Sequence, residues 1–223
     1  MRLSDGEILT SRIVSSSTIH IYGAGLNQER PAHSAVKELA GRGWAPAPIH
    51  PHDAGATIEG FPIRPEVDEG ITPEIIVLFL APERARSVVR NLIVRFSKEI
   101  FPLVWFQHGA EDEDSISALN EMGVQYVHDD CIVRFSERNN LNCLNSILPQ
   151  YWCLQTASLE GDGCSIWSVY STDSAELEPP KEALEWVGTI DELSKSKATI
   201  PKYIRSLRQD DESLLSLATR LAN

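Results

Sequence analysis

The residues best placed to do chemistry are Gly23, Ala24 and Gly25, followed closely by Arg30, Pro31, His33 and Ser34, in the stretch TIHIYGAGLNQERPAHS (18–34). Glycine lacks a side chain, so a Gly-x-Gly turn can bend sharply and bring bare backbone against a phosphate. A proline at the first position of a following helix is compatible with a helix end whose N–H groups are unpaired and carry partial positive charge. Arg30, His33 and Ser34 would add donors at that same end. This is chemistry for holding an anion, and it breaks no bond by itself. Dinucleotide binding fits less well. The third glycine of that pattern is Gln28 here, and the second strand ends in His50-Pro51 with Asp53 already in the loop, so the acid expected about 20 residues on is missing. No Gly-Lys-Ser/Thr follows the turn, so a Walker A loop and ATP hydrolysis are not supported.

Other clusters are less specific. IHPHD (49–53) and VHDDC (127–131) carry metal-ligand residue types but no identifiable complete ligand set, and both read more simply as loops at strand ends. VWFQHG (104–109) ends a strand where a ligand could touch Gln107, His108 and Gly109, with Trp105 in the core. Cys131 could exchange disulfides with a bound thiol, but nothing cationic is evident beside it to lower its pKa, and a packed, inert cysteine is the default. The acidic EDED run (111–114) is a solvated helix start favoured by the helix dipole. No Ser-His-Asp or paired-carboxylate arrangement emerges from the spacing, so the residues lean away from an enzyme.

Elements to position these residues follow from hydrophobic periodicity. Residues 4–14 read as a helix with Ser4 as N-cap and Glu7 three residues on. TIHIY (18–22) reads as a strand, and 31–43 as a helix stopped by Gly41 or Gly43. WAPAPIHP (44–51) is a strand weakened by prolines, and the next residues read as a turn-rich connection. EIIVLFLA (74–81) is apolar throughout and belongs in the middle of a sheet covered on both faces. A helix over 82–97, a strand over 101–107, a helix over 112–123 and a strand over 124–128 continue the alternation. That order implies an α/β, Rossmann-like parallel sheet with helices on both faces. The pattern changes near residue 138. A hairpin is expected within 153–170, a linker over 171–180, and helices in KEALEWVGTIDEL (181–193) and in 200–223. The expected division is therefore a Rossmann-like domain, 1–138, and an accessory region, 139–223, whose three tryptophans must be buried somewhere.

The chain has 223 residues and a formal net charge of −12, which removes the broad positive field that nucleic-acid binding needs. Its start lacks the continuous apolar run of a signal peptide, and its most apolar run is too short to span a bilayer. Four cysteines without a Cys-x-x-Cys pair suit free thiols in the cytoplasm.

The stretches IYGAGLNQERPAHSAVKELAGRGW…IHP, EIIVLFLAPERARSVV, LVWFQHG and MGVQYVHDDCIVRF together resemble the small CoA-binding-domain proteins. They look like that family's glycine turn and Arg/Lys-Pro-Ser helix start, its Pro-Glu strand–helix junction, its Trp-x-Gln-x-Gly strand end and its closing Asp-Arg-Cys, in order over about residues 5–135. The resemblance implies a Rossmann-like fold holding coenzyme A. Gly23, Ala24, Gly25, Arg30, Pro31 and Ser34 would line the phosphate turn. His50 and Pro51 would stand at the second strand end, and Leu80, Ala81 and Pro82 at the central one. His50 stands where the family usually has asparagine, Gly25 where it often has serine, and Asp130 where it usually has arginine. Losing that cation lowers the expected affinity for an anion. The expectation is a non-catalytic binder of CoA or a related adenine nucleotide, acting as sensor, carrier or regulatory module. The alternative is an interaction protein on a degenerate nucleotide fold, with 139–223 as the surface for a second copy or a protein partner.

Overall fold

The computed structural model describes residues 5–160, 162–174 and 176–223. In chain order the first elements are α1 (Asp5–Ser15), β1 (Thr18–Tyr22), α2 (Pro31–Ala40), β2 (Ala45–Ile49), β3 (Thr57–Ile58) and β4 (Phe61–Pro62). Then come β5 (Ile75–Leu78), α3 (Pro82–Arg95), β6 (Leu103–Phe106), α4 (Glu113–Met122), β7 (Tyr126–Val127) and α5 (Ile132–Arg138). The remainder supplies β8 (Tyr151–Ala157), β9 (Ser165–Ser171), β10 (Leu184–Thr189), α6 (Ile190–Lys195), α7 (Thr199–Ser206) and α8 (Leu214–Leu221). The expected N-cap Ser4 lies outside the described residues.

These elements form two compact units: Met1–Ala47 with Thr72–Leu148, and Pro48–Ile71 with Pro149–Asn223. The first holds the sheet ordered β2-β1-β5-β6-β7, in which β1, β5, β6 and β7 run parallel. That order, first strand flanked by second and third, is a doubly wound α/β arrangement of the Rossmann-like class. β5 is central because Ile75, Ile76, Val77 and Leu78 are all apolar and all fully buried. Their alternation serves two faces. Ile76 and Leu78, with Val104 and Phe106 of β6, pack on Ala85, Val89 and Leu92 of α3 and Leu119 of α4. Burying each such valine or leucine is worth about 1.5–3 kcal/mol. On the other face Trp105 meets Phe135 of α5 edge-on, ring centroids 5.3 Å apart, and Trp44 donates to the Ile13 carbonyl of α1.

The second unit holds the antiparallel sheet β10-β8-β9 and the small hairpin β3-β4. The β8–β9 hairpin falls where the sequence places it. Residues 184–189 do not: the helix expected over 181–193 is strand β10 followed by α6. LEWVGT alternates Trp186 against sheet neighbours, and Thr189 stops the strand by capping α6 in a capping box with Glu192.

The division at 138/139 also differs from the expected one, for two reasons. Residues 139–148 belong to the first unit, where Cys143 N–H donates to the Arg42 carbonyl, Leu144 N–H to Val14, and Arg42 to the Leu141 carbonyl. Residues 48–71, expected as the end of a strand and the turn-rich connection after it within the first domain, belong to the second. There Arg64 donates to both carboxylate oxygens of Glu192 at 2.7 and 2.6 Å, Trp186 and Ser196 donate to Asp68, and Thr57 and Leu177 exchange bonds. Gly60 approaches Thr172 so closely that any Cβ there would overlap its carbonyl. Among the described residues no helix is long and apolar enough to cross a membrane.

Candidate functional site

Strands β1 and β5 are neighbours, but their chains leave in opposite directions, β1 through α2 to β2 and β5 through α3 to β6. Ligands of open α/β sheets sit beyond the carboxyl ends of strands at such a reversal. Two loops flank it, Gly23–Arg30 and Phe79–Ala81. They touch. Phe79 N–H donates to the Tyr22 carbonyl at 3.1 Å, and a Cβ on Gly23, whose φ is +90°, would lie 2.4 Å from the Phe79 oxygen. Gly23 is thus demanded by the protein's own backbone, both in conformation and in space. Ala24 is fully buried and Gly25 is buried beside it. The Gly25 carbonyl accepts from His33 Nδ1 at 2.9 Å, which ties the loop to the first turn of α2 and puts the ring proton on Nδ1.

Both helices that begin at this reversal start alike. α2 has Arg30 at its N-cap and Pro31 at its first position, α3 has Ala81 and Pro82, and neither has a side-chain cap. Their leading N–H groups therefore receive no oxygen from a cap side chain. α4, beginning after the next strand, is capped by Asp112, which accepts from Ser115 N–H. Arg30 and Ser34 are exposed, and the Ser34 hydroxyl donates back to the Pro31 carbonyl at 3.2 Å. The first turn of α2 carries no acidic residue, whereas that of α3 carries Glu83. Leu80 is half-buried on the same loop as exposed Ala81.

At the end of β6, Gln107 is only 5% exposed, its N–H donates to the Leu78 carbonyl, and its side-chain nitrogen has no hydrogen-bond partner among the described residues. Glu111 Oε1 is likewise buried without a partner, while Oε2 accepts from Gly109 N–H. His108 and Gly109 are exposed, and Trp105 is core, its indole donating to the Asp130 carbonyl at 2.8 Å. Asp130 does not leave a bare negative charge where a cation was expected. Arg138 donates to both of its oxygens, at 3.0 and 2.7 Å, and Cys131 N–H to one of them. Arg138 is the residue that sequence reasoning missed. It is the last residue of α5, a short helix outside the elements expected from the sequence, and its side chain reaches back along the helix to Asp130, eight residues earlier. Cys131 is half-buried at the N-cap of that helix.

His50 and Pro51 fall in the second compact unit and the other candidates in the first. His50 N–H donates to the Arg64 carbonyl, and its Nδ1 lies 3.0 Å from Asp53 Oδ2, at ion-pair distance without hydrogen-bond geometry. The His52 ring stands edge-on at 5.9 Å. Gly23, Ala24, Gly25, Arg30, Pro31, Ser34, Leu80, Ala81, Pro82 and Gln107 all fall in the first unit, after β1, β5 and β6.

Residues 17–136 match the family model described as a CoA binding domain. Among solved structures, a Thermus thermophilus protein is similar at a TM-score of 0.54 and 24% identity, covering 60% of this chain and 98% of its own. A hypothetical protein from Pyrococcus horikoshii has a TM-score of 0.51 at 26% identity, covering 61% and 92%. A protein redesigned for binding has a TM-score of 0.51 at 25% identity, covering 65% and 97%.

Proposed function

From the premise that this chain belongs to the CoA binding domain family, we propose that it binds coenzyme A or a related adenine nucleotide, and does so without catalysing a reaction. The observation that carries this reading is the pair of helices at the strand reversal, each with proline at its first position and no side chain closing its end. Two such ends suit the diphosphate of a nucleotide, since each offers N–H donors and the positive end of a helix dipole. Arg30 supplies a full positive charge at one of them, and Gly25 leaves no side chain in the loop between. The buried, unsatisfied amide of Gln107 adds a donor at the next strand end. The salt bridge from Arg138 to Asp130 supports retention of an anion, because it offsets the carboxylate that replaces the family's arginine. A sensor, carrier or regulatory role suits a binder of this kind, and the four free cysteines suit the cytoplasm.

Thermal melts test the reading. Millimolar CoA is expected to raise the Tm, as any ligand of the native state alone must, and Gly25→Trp is expected to abolish the shift. Equal melts with CoA, NAD, ATP and no ligand would instead favour the second reading, a protein-interaction module on a nucleotide fold. What supports that alternative is the separate sheet and helices of residues 149–223, which lie beyond the family match.

A further inference from the structure

The antiparallel sheet of the second unit has two edge strands of unlike character. β10 slips register against β8 between Leu184 and Trp186, carries Glu185, and follows the prolines at 179 and 180. Irregularity, charge and proline are the usual devices that keep an edge strand from recruiting another strand. β9, SIWSVYS, has none of them. It keeps unbroken register with β8 over all seven residues, from Ser165 opposite Ala157 to Ser171 opposite Tyr151. Among the described residues no strand pairs with its outer side.

Which backbone groups point outward can be read from the bonds that bracket the strand. Thr172 N–H donates to the Gln150 carbonyl and Ser158 N–H to the Cys164 carbonyl, both at 2.9 Å. In an antiparallel ladder inward and outward residues alternate. Ile166, Ser168 and Tyr170 therefore bond to β8, while Ser165, Trp167, Val169 and Ser171 turn their N–H and C=O groups away from it. α8 packs on a face of the sheet, where the Trp167 indole donates to the Ala218 carbonyl, and a groove of about 500 Å³ separates its end at Thr219, Ala222 and Asn223 from Tyr151 and Ser168–Ser171.

We propose that the outer edge of β9 receives β9 of a second copy of the chain, antiparallel, about a two-fold axis at Ser168. The strand is self-complementary in that register. Ser165 lies opposite the second copy's Ser171 and Trp167 opposite its Val169, so all four outward residues of each strand gain a partner. A slip of two residues leaves one outward residue on each strand unpaired. Charge points the same way. The chain carries −12, so two copies repel wherever acidic surfaces meet, and β9 contributes no charged side chain of its own, although the Glu185 carboxylate accepts from Ser165 Oγ at its amino end. A strand pair alone falls short of the ~1,200 Å² typical of stable interfaces, so the dimer is reversible. The register also sets Asp162 near the second copy's Asp173, a repulsion that salt screens.

Sedimentation of the full chain over a wide concentration range tests this. The mass is expected to rise from the 24.8 kDa of one chain toward double, and more readily at high salt. Ser168→Lys and Ser168→Glu each place like charges face to face on the axis and are expected to sediment as monomers, while their equimolar mixture regains the dimer. Ser168→Cys, a nearly isosteric change, covers the case in which either charged variant fails to fold. Mild oxidation is expected to link position 168 of one copy to position 168 of the other, seen by peptide mass spectrometry, because opposed Cα atoms in such a pair lie within disulfide reach. A chain that stays monomeric at every concentration, or a dimer that survives Ser168→Lys and forms no 168–168 link, overturns the proposal.

Discussion

Asp112 caps α4 and grips α3 with the same carboxylate. Oδ1 accepts from Ser115 N–H and Oγ at 2.9 and 2.7 Å, and Oδ2 accepts from Arg86 Nε and Nη2 at 3.0 and 2.6 Å. The bonds from Arg86 pull its pKa well below the usual carboxylate range, against burial that opposes the charge and with help from Ser115. Because the folded value lies below the unfolded one, the stabilisation is whole above the ordinary Asp pKa and drains away as pH falls toward the folded value. Asp112→Asn is expected to cost about 1–3 kcal/mol in urea titrations at pH 7, from the weakened cap and ion pair. The cost should shrink steadily below pH 4, where the unfolded chain's Asp112 takes up a proton while the folded carboxylate stays ionised, so that the wild type loses the advantage the variant lacks. At this scale the sequence is legible where one residue type has one use. Asp before Ser115 and Gly after Met122 mark the ends of α4, and Gly123 does adopt the left-handed conformation expected of a stop. Gly23 is less transparent. A glycine before a helix reads as a phosphate cradle, yet its immediate requirement is the Phe79 carbonyl 2.4 Å from where a Cβ would stand.

Elements are legible when their apolar period is local and unambiguous, and β5, α3 and the β8–β9 hairpin meet that condition. KEALEWVGTIDEL fails it. Its alanine, leucine and acidic residues favour a helix, but Trp186 and Val187 bury against β8 partners some thirty residues earlier, and tertiary packing overrides propensity. The pairing of 48–71 with α6 was equally hidden, because Arg64 and Glu192 lie 128 residues apart. That ion pair is almost fully buried, with side chains 5% and 11% exposed, and the Glu192 carboxylate also closes the capping box of α6. Removing one partner strands the other charge in the interior. Glu192→Ala is expected to destabilise the protein by about 3–5 kcal/mol in chemical denaturation, while the paired change Arg64→Met with Glu192→Leu costs much less.

The whole molecule is two units threaded by one chain that passes from one to the other after residues 47, 71 and 148. A domain boundary set at 138 cuts through both. A chain ending there lacks the 139–148 segment that bonds to Arg42 and Val14, and leaves Ile58, Phe61 and Ile63 without the residues that bury them in the full protein. Residues 1–138 alone are expected to bind a hydrophobic dye and melt well below the full chain. A version joining 1–47 to 72–148 through a short Gly-Ser linker is expected to melt cooperatively without dye binding. The same threading orders events at the ribosome. Residues 48–71 emerge early yet must wait, looped out and sticky, for a carboxyl-terminal half still to be translated, so the nascent polypeptide presents a client surface to chaperones for most of its synthesis.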